Sequence, residues 1–273
     1  MDFEPASIHD CDFVLSSRLP WGTVDHRTIQ AALGAPPFYS KTTLAFLVTD
    51  SCDQFDIPEN IILFRTSFYK SKKHPNERLL PYIWEAVPTE FEPLPAGAVK
   101  PVVGFCGWLS GNRASLIRAL QTEPRIQTNF ILRDRFWGGK PHDPHLIREF
   151  NDNIRSSHFT VCSRGAGNFA IRFYQALAAG RIPVVVHDDM EYPYEDEIDW
   201  DNYLVRGGSN EEVIEKLMEF WRSKDIEQVQ TDCRKIYQKY FLPKAFCKRA
   251  LETLMTENQL LSAGPRQQAT PSD

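Results

Sequence analysis

The sequence predicts an α/β protein with two Rossmann-like lobes and a cleft between them. From residue 101 onward, apolar runs of strand length alternate with amphipathic segments of helix length, which is the pattern of βαβ units on a parallel sheet. A proline-rich stretch, VPTEFEPLPAGAVKP, separates this regular half from a less regular first half that has strand-like runs of its own. We therefore expect a first lobe at residues 1–95, a second lobe at 96–262 and a disordered polar tail at 263–273.

The first lobe has three apolar runs that are short enough to be strands. We predict strands at 11–17 (CDFVLSS), 44–50 (LAFLVTD) and 60–67 (NIILFRTS). Residues 18–23 read as a turn because they include proline and glycine. We predict helices at 24–33 and 76–85.

The second lobe is more regular. We predict strands at 101–107, 128–133, 159–163, 182–187 and 203–206, and helices at 112–122, 144–156, 168–179 and from Glu211, with two or three more up to about residue 258. Gly180 is placed to end a helix, and Ser209 to cap the next one. Ligands of such sheets bind beyond the carboxyl ends of the strands, so the loops that follow strands carry the candidate functional residues.

Composition narrows the class of partner. The formal net charge is −5, which argues against a surface for polyanions and so against a nucleic-acid partner. None of the six cysteines forms a C-x-x-C pair, and we expect buried free thiols in a reducing compartment. There is neither a signal-peptide pattern nor an apolar run of about 18 residues, so we expect a cytoplasmic protein without a membrane span. The sequence does not predict the oligomeric state.

One loop has the features of an anion site. Residues 165–170 (GAGNFA) fit the G-x-G-x-x-G/A fingerprint and lie between a predicted strand and a predicted helix. The first backbone N–H groups of a helix attract phosphate, and glycines allow a close approach. Arg164 precedes the loop and Arg172 follows it, and a guanidinium suits phosphate oxygens.

Three interpretations of this loop remain open. A nicotinamide-dependent oxidoreductase would use it for pyrophosphate, with Asp188 near the ribose. A nucleotide-sugar enzyme would use it for a diphosphate leaving group, whose charge arginines stabilise. The late position of the loop within its lobe and the flanking arginines favour the second interpretation. A non-catalytic, glycan-binding relic is the third.

A longer segment resembles a known family. Residues 159–200, FTVCSRGAGNFAIRFYQALAAGRIPVVVHDDMEYPYEDEIDW, are similar to the hallmark region of exostosin-like glycosyltransferases, family 47. VVGFCGWLSGNR and FILRDRFWGG upstream, and LVTDSCD and FRTSFYKSKKHPNERLLP in the first lobe, resemble other parts of those enzymes more weakly. The chain is similar to compact members from large algal viruses, which would imply the host cytoplasm if the source is a virus.

The resemblance implies a GT-B fold and a reaction that inverts the configuration at the anomeric carbon. It also implies a UDP-sugar donor and an oligosaccharide acceptor, with neither a cofactor nor a metal. UDP-xylose is the first candidate donor. The implied donor-binding residues are Arg164, Gly165, Ala166, Gly167, Asn168, Arg172 and Gln175. Gln175 stands where the family has a ribose-binding glutamate, and Ala170 where it has a serine, so donor preference or activity could differ.

Further candidates come from other strand ends. Gly107 and Arg113 would face the donor phosphates, Arg133 or Arg135 the base or sugar, and Asp188 would brace the loop or bind ribose. Inversion needs a general base from the first lobe, for which Asp50 and Glu77 are equal candidates. The D-x-D triplet at 10–12 precedes a strand, so we interpret it as a chance match and expect no metal.

Overall fold

The computed structural model describes residues 6–7, 10–11, 13–16, 25–34, 41–82, 91–97, 99–109, 111, 113–165, 167–186 and 189–262. These residues form two parallel sheets with helices packed on them. The α/β fold with two Rossmann-like lobes is therefore confirmed. The predicted tail at 263–273 and the predicted turn at 18–23 lie outside the described residues.

The first sheet has four parallel strands in the order β1-β2-β3-β4. Its elements are β1 Phe13–Ser16, helix α1 His26–Gly34, β2 Thr42–Leu47, β3 Ile61–Arg65, a 3₁₀ turn Lys70–Lys72 and β4 Glu77–Leu79. Ile29 and Leu33 of α1 pack on Ala45, Leu47 and Leu63 of the strands. The loops after β2 and β3 emerge at the same edge because the strands are parallel.

The predicted helix at 76–85 is wrong. Its described part begins with strand β4, in which Glu77 pairs in register with Leu63 of β3. Pro81 follows two residues after the strand, and a proline removes a helical hydrogen bond. Pairing with β3 makes this segment a strand. The spacing of apolar residues along the sequence does not show such pairing.

The second sheet has five parallel strands in the order β6-β5-β7-β8-β9. Its elements are β5 Val102–Trp108, α2 Arg113–Thr122, β6 Gln127–Arg133, a turn Phe136–Gly139, α3 Pro144–Arg155, β7 Phe159–Val161, α4 Ile171–Ala178, β8 Ile182–Val186, a 3₁₀ turn Trp200–Asn202, β9 Val205–Gly207, α5 Asn210–Ser223, α6 Ile226–Ile236, a π turn Tyr237–Phe241 and α7 Pro243–Ser262. Phe105, Phe159, Phe173 and Val184 lie fully inside its core.

Two segments outside the sheets pack on the rest of the chain. Residues 91–97 of the proline-rich stretch dock on α6, where Gln230 donates to the Leu94 carbonyl (2.9 Å) and accepts from its N–H (3.1 Å). Helix α7 returns to the first sheet and packs Phe246 edge-on against Phe64, with ring centroids 6.2 Å apart. The second half of the chain thus completes the core of the first sheet.

Within the described ranges, none of the helices combines the length and the apolar character that crossing a bilayer would need.

Candidate functional site

A pocket of about 500 Å³ lies between the two sheets. The loop after β2 forms one wall, and the turn after β3 and the loop after β7 form the others. Its lining residues are Asp50, Ser51, Cys52, Asp53, Gln54, Tyr69, Lys72 and Arg164. Because ligands of parallel sheets bind beyond the carboxyl ends of strands, this pocket is the candidate functional site.

Asp50 and Arg164 bring opposite charges to this pocket from opposite sheets. The Asp50 side chain is exposed, and its Oδ1 accepts a hydrogen bond from the Tyr82 hydroxyl (3.2 Å). Arg164 is half-buried, with its guanidinium carbon 5.9 Å from the centre of the Tyr69 ring. A carboxylate that can accept a proton therefore shares the pocket with a cation that can bind phosphate.

Glu77, the other predicted base, does not reach the pocket. Its side chain is 3 % exposed and pairs with the fully buried Arg65 at 2.9 Å. Its second oxygen accepts from the His74 N–H (2.8 Å). A base must reach solvent or substrate to exchange its proton, so the geometry corrects the prediction and gives Glu77 a structural role.

Arg113 lies directly on the loop after β7 that contains Gly165 and Gly167, which we call the glycine loop. A Cβ atom built at Gly165 would be 2.5 Å from Nη2 of Arg113, so a side chain there would displace this guanidinium. Its Nε donates to the Ser163 carbonyl (3.3 Å), and burial lowers the pKa of Arg113 below its usual value. The structure thus places a second cation beside Arg164, while its donor-binding role stays a prediction.

Gly167 and Asn168 are buried against the first sheet instead of opening into the pocket. The Asn168 N–H donates to Ser67 Oγ (2.6 Å), and its amide donates to the carbonyls of Phe68 and Asp189, both at 3.0 Å. Helix α4 begins at Ile171, three residues later than predicted. The backbone N–H of Asn168 therefore serves contact between the sheets, which corrects its prediction as a free phosphate donor.

Arg172 supports the loop from below. Its Nη2 donates to the Cys106 carbonyl (2.7 Å) and its Nη1 to the Val161 carbonyl (3.3 Å), at the ends of β5 and β7. Burial, with a smaller contribution from nearby Arg113, lowers the pKa of Arg172 to about 10. A Cβ at Gly107 would lie 2.8 Å from this guanidinium, so Gly107 makes space for Arg172 and neither lines the pocket.

Two other predicted residues that the structure describes, Arg133 and Gln175, do not line the pocket. Arg133 is committed to α3 through Glu149 (2.8 Å) and the Leu146 carbonyl (3.1 Å), so it is not free to bind a donor as predicted. Gln175 is buried in α4, and its Oε1 has no hydrogen-bond partner among the described residues. Ala166 and Asp188 lie outside the described residues.

A set of polar contacts holds the two sheets together beside the pocket, and we call it the polar clasp. One ion pair joins Lys73 Nζ to Glu191 (2.7 Å), and a second joins Lys70 to Glu195. Ser71 donates to the Asp189 carboxylate through its N–H (3.0 Å) and its hydroxyl. The members of the clasp are Ser67, Lys70, Ser71 and Lys73 on one side and Asn168, Asp189, Glu191 and Glu195 on the other.

Sequence reasoning missed most of the pocket wall. Residues Ser51 to Gln54 follow β2, and their position after a strand was the available signal. The sequence also contained a signal for the polar clasp, because the basic run 70–73 and the acidic residues between 189 and 195 are complementary in charge.

Among the described residues, no group of three His, Cys, Asp or Glu side chains is arranged to hold a metal ion.

The match to a known protein family covers most of the second sheet. The family model of the exostosin GT47 domain matches residues 107–224. A match to the Exostosin-1 homolog of Caenorhabditis elegans is 24% identical over 102 residues, which are 37% of this chain and 27% of that protein. The match therefore spans about a quarter of that relative's length. The resemblance to exostosin-like glycosyltransferases is confirmed.

Two solved structures are similar at low identity. Both are of a spinosyn rhamnosyltransferase, one complexed with spinosyn aglycone and one with thymidine diphosphate. The first is 14% identical, with a TM-score of 0.37 over 76% of this chain and 73% of that chain. The second is 13% identical, with a TM-score of 0.32 over 76% of this chain and 56% of that chain.

Proposed function

We propose that the chain is an inverting glycosyltransferase, since residues 107–224 match the family model of the exostosin GT47 domain. It would move a sugar from a UDP-sugar, with UDP-xylose as the first candidate, to a hydroxyl of an oligosaccharide acceptor. The observation that carries the proposal is the shared pocket of Asp50 and Arg164. One sheet supplies a proton acceptor there, and the other supplies a cation for the leaving group.

In the proposed reaction, Asp50 removes the proton from the acceptor hydroxyl. The acceptor oxygen forms a bond to the anomeric carbon while the bond from that carbon to the donor phosphate oxygen breaks. UDP leaves with the electron pair, and the transition state has oxocarbenium character. Attack on the face opposite the leaving group inverts the anomeric centre.

Arg164 and Arg113 would stabilise the negative charge that develops on the leaving diphosphate. Both guanidiniums lie at the loop after β7, and a cation that is already in place stabilises developing charge without reorganisation. Arg172 holds the strand ends beneath them. Because these arginines supply the charge, we expect transfer to continue after treatment with EDTA. Loss of activity that added Mg²⁺ or Mn²⁺ restores would contradict this expectation.

The decisive experiment measures the binding of UDP and of NAD to the full chain by calorimetry. We expect micromolar affinity for UDP and none for NAD, and the reverse would favour an oxidoreductase. A panel of UDP-sugars, assayed for UDP release with and without oligosaccharide acceptors, then identifies the donor. Tight donor binding without hydrolysis or transfer would favour a non-catalytic relic, for which the replacement of the family glutamate by Gln175 gives a reason.

Arg164→Ala tests the placement of the diphosphate. Hydrogen bonds between charged groups contribute about 1.5–3 kcal/mol each, so we expect UDP binding to weaken at least tenfold. Arg118→Ala, which removes an exposed arginine of α2, is the matched control. Equal affinity in the two variants would place the diphosphate elsewhere.

A further inference from the structure

Two aromatic side chains form an exposed corner on the second sheet. Phe136 is 60% exposed and Trp137 is 37% exposed. Their ring centroids are 5.6 Å apart and the planes are nearly perpendicular, at 81°. Single exposed apolar residues are ordinary, but two adjacent rings that present flat faces at a right angle form a surface that could stack on a planar ligand.

The backbone of this turn is held in an unusual conformation. Trp137, Gly138 and Gly139 have φ values of 52°, 63° and 76°, and a bulky residue seldom adopts a positive φ without support from its surroundings. A Cβ at Gly138 would lie 2.9 Å from Leu146 Cδ1, so the turn packs closely on α3 at this glycine. This contact anchors the turn that carries the two rings.

The corner stands on the same edge of the sheet as the glycine loop. The turn follows β6 and lies against β5, and β5 is the strand between β6 and β7 in the sheet. Neighbouring strands are about 4.8 Å apart, so β6 and β7 lie about 10 Å apart across β5, and β7 leads into Arg164. Gly107 and Arg172 fill the space between these strand ends.

We infer that Phe136 and Trp137 form the platform on which the nucleobase of the donor stacks. This inference rests on the proposed function, because it needs a nucleotide whose diphosphate lies at Arg164. A ribose would span the gap between the two places. The side chain of Arg135 is 69% exposed and next in the chain, so it can donate hydrogen bonds to the edge of the base, whereas Arg133 is engaged with Glu149.

An acceptor glycan could also stack on aromatic rings, but the position of the general base places the acceptor on the other side of the pocket. The base that activates the acceptor, Asp50, belongs to the first sheet, on the opposite wall of the pocket. The platform and the glycine loop both belong to the second sheet. A bound nucleotide would extend along one edge of the second sheet, from the platform at its base to Arg164 at its diphosphate. The acceptor would approach from the first sheet.

The test compares the binding of UDP and of inorganic pyrophosphate to the full chain by calorimetry. Stacking of a base on an aromatic side chain contributes about 1–3 kcal/mol, so Trp137→Ala should weaken UDP binding on the order of tenfold to a hundredfold. Pyrophosphate binding should change less than about twofold. Trp137→Phe, which keeps a ring, should restore most of the affinity. Phe136→Ala gives a second test at a residue without the positive φ, and Leu15→Ala, on the exposed part of β1, is the control.

The outcomes separate this inference from the proposed function. UDP affinity that survives both Trp137→Ala and Phe136→Ala overturns the platform alone. Equal losses for UDP and pyrophosphate also overturn it, because the turn would then only affect the shape of the glycine loop. Unchanged UDP binding with loss of affinity for an oligosaccharide would assign the corner to the acceptor. A wild-type chain that does not bind UDP at all overturns the proposed donor and the platform with it.

Discussion

Two isosteric substitutions, Asp50→Asn and Glu77→Gln, distinguish the carboxylate that acts on substrate from the one that holds the fold. Asp50 is exposed and accepts one hydrogen bond from Tyr82 in the described part of the chain. Its replacement should cost no more than about 0.5–1.5 kcal/mol of folding free energy. General-base catalysis typically contributes about 10²–10⁴-fold, so we expect kcat to fall by that factor while the melting temperature stays nearly constant.

Glu77→Gln should have the opposite effect. The substitution removes the carboxylate charge that compensates Arg65, which has no exposed surface. Burial already lowers the pKa of Arg65, and Glu77 is the partner that opposes this effect most. Leaving one charge of a buried pair uncompensated costs about 3–5 kcal/mol. At about 2–4 °C per kcal/mol for a chain of this size, the melting temperature should fall by roughly 6–20 °C.

The assay is thermal unfolding of both variants, combined with UDP release per folded molecule at a temperature where both are native. We expect Glu77→Gln to retain kcat within a few-fold once folded. If Glu77→Gln keeps its melting temperature but loses kcat, while Asp50→Asn remains active, the assignment of the base is wrong.

Two other predictions follow from close packing and from burial. Gly167→Ala would place a Cβ 2.9 Å from Ser67 Oγ and 3.1 Å from Asp50 Cα, so overpacking should destabilise the chain by about 1–3 kcal/mol; a melting temperature equal to that of the wild type would refute the closeness of the sheets. His158 is buried, accepts at Nδ1 from the Val102 N–H (3.1 Å) and faces the Pro95 carbonyl, and burial lowers its pKa. As the pH falls, the His158 imidazole therefore binds a proton more readily in the unfolded chain than in the folded one. The free energy of unfolding should be constant above about pH 6.5 and should decrease below it by up to about 1.4 kcal/mol per pH unit. Urea unfolding at pH 7.5 and 5.5 should show a smaller loss for His158→Gln, and equal losses would contradict this account.

Local signals in the sequence predicted most of the second sheet. Ser209 caps α5 by accepting from the Glu212 N–H (3.2 Å), and Gly180 ends α4 with a φ of 63°. Such features depend on residues a few positions apart, so the sequence shows them directly. The pairing of β4 with β3 depends on residues far apart in the chain, and this is why the helix predicted there was wrong.

The candidate site was predictable in location but not in its contacts. The loop after β7 was recognisable from its glycines and from Arg164, and the loop after β2 from Asp50. Which atoms those residues contact depends on how the two sheets meet. Nothing in the sequence indicates that Asn168 forms a hydrogen bond with Ser67, or that Glu77 pairs with Arg65.

Helix α7 and the polar clasp both join the two sheets, but they do so by different chemistry. This difference has a thermodynamic consequence. Helix α7 contributes apolar packing around Phe246, whereas the polar clasp consists of hydrogen bonds and ion pairs such as Lys73 with Glu191. Opening the clasp alone would hydrate polar groups, which lowers heat capacity slightly, in contrast to apolar exposure, which raises it.

Separation of the sheets at the clasp should therefore leave almost no heat-capacity signature of its own. Added salt should favour it, because salt screens partly exposed ion pairs. The heat-capacity change of ligand binding would then report the apolar surface that the ligand itself buries, and the ionic-strength dependence of its affinity would include the contribution of the clasp.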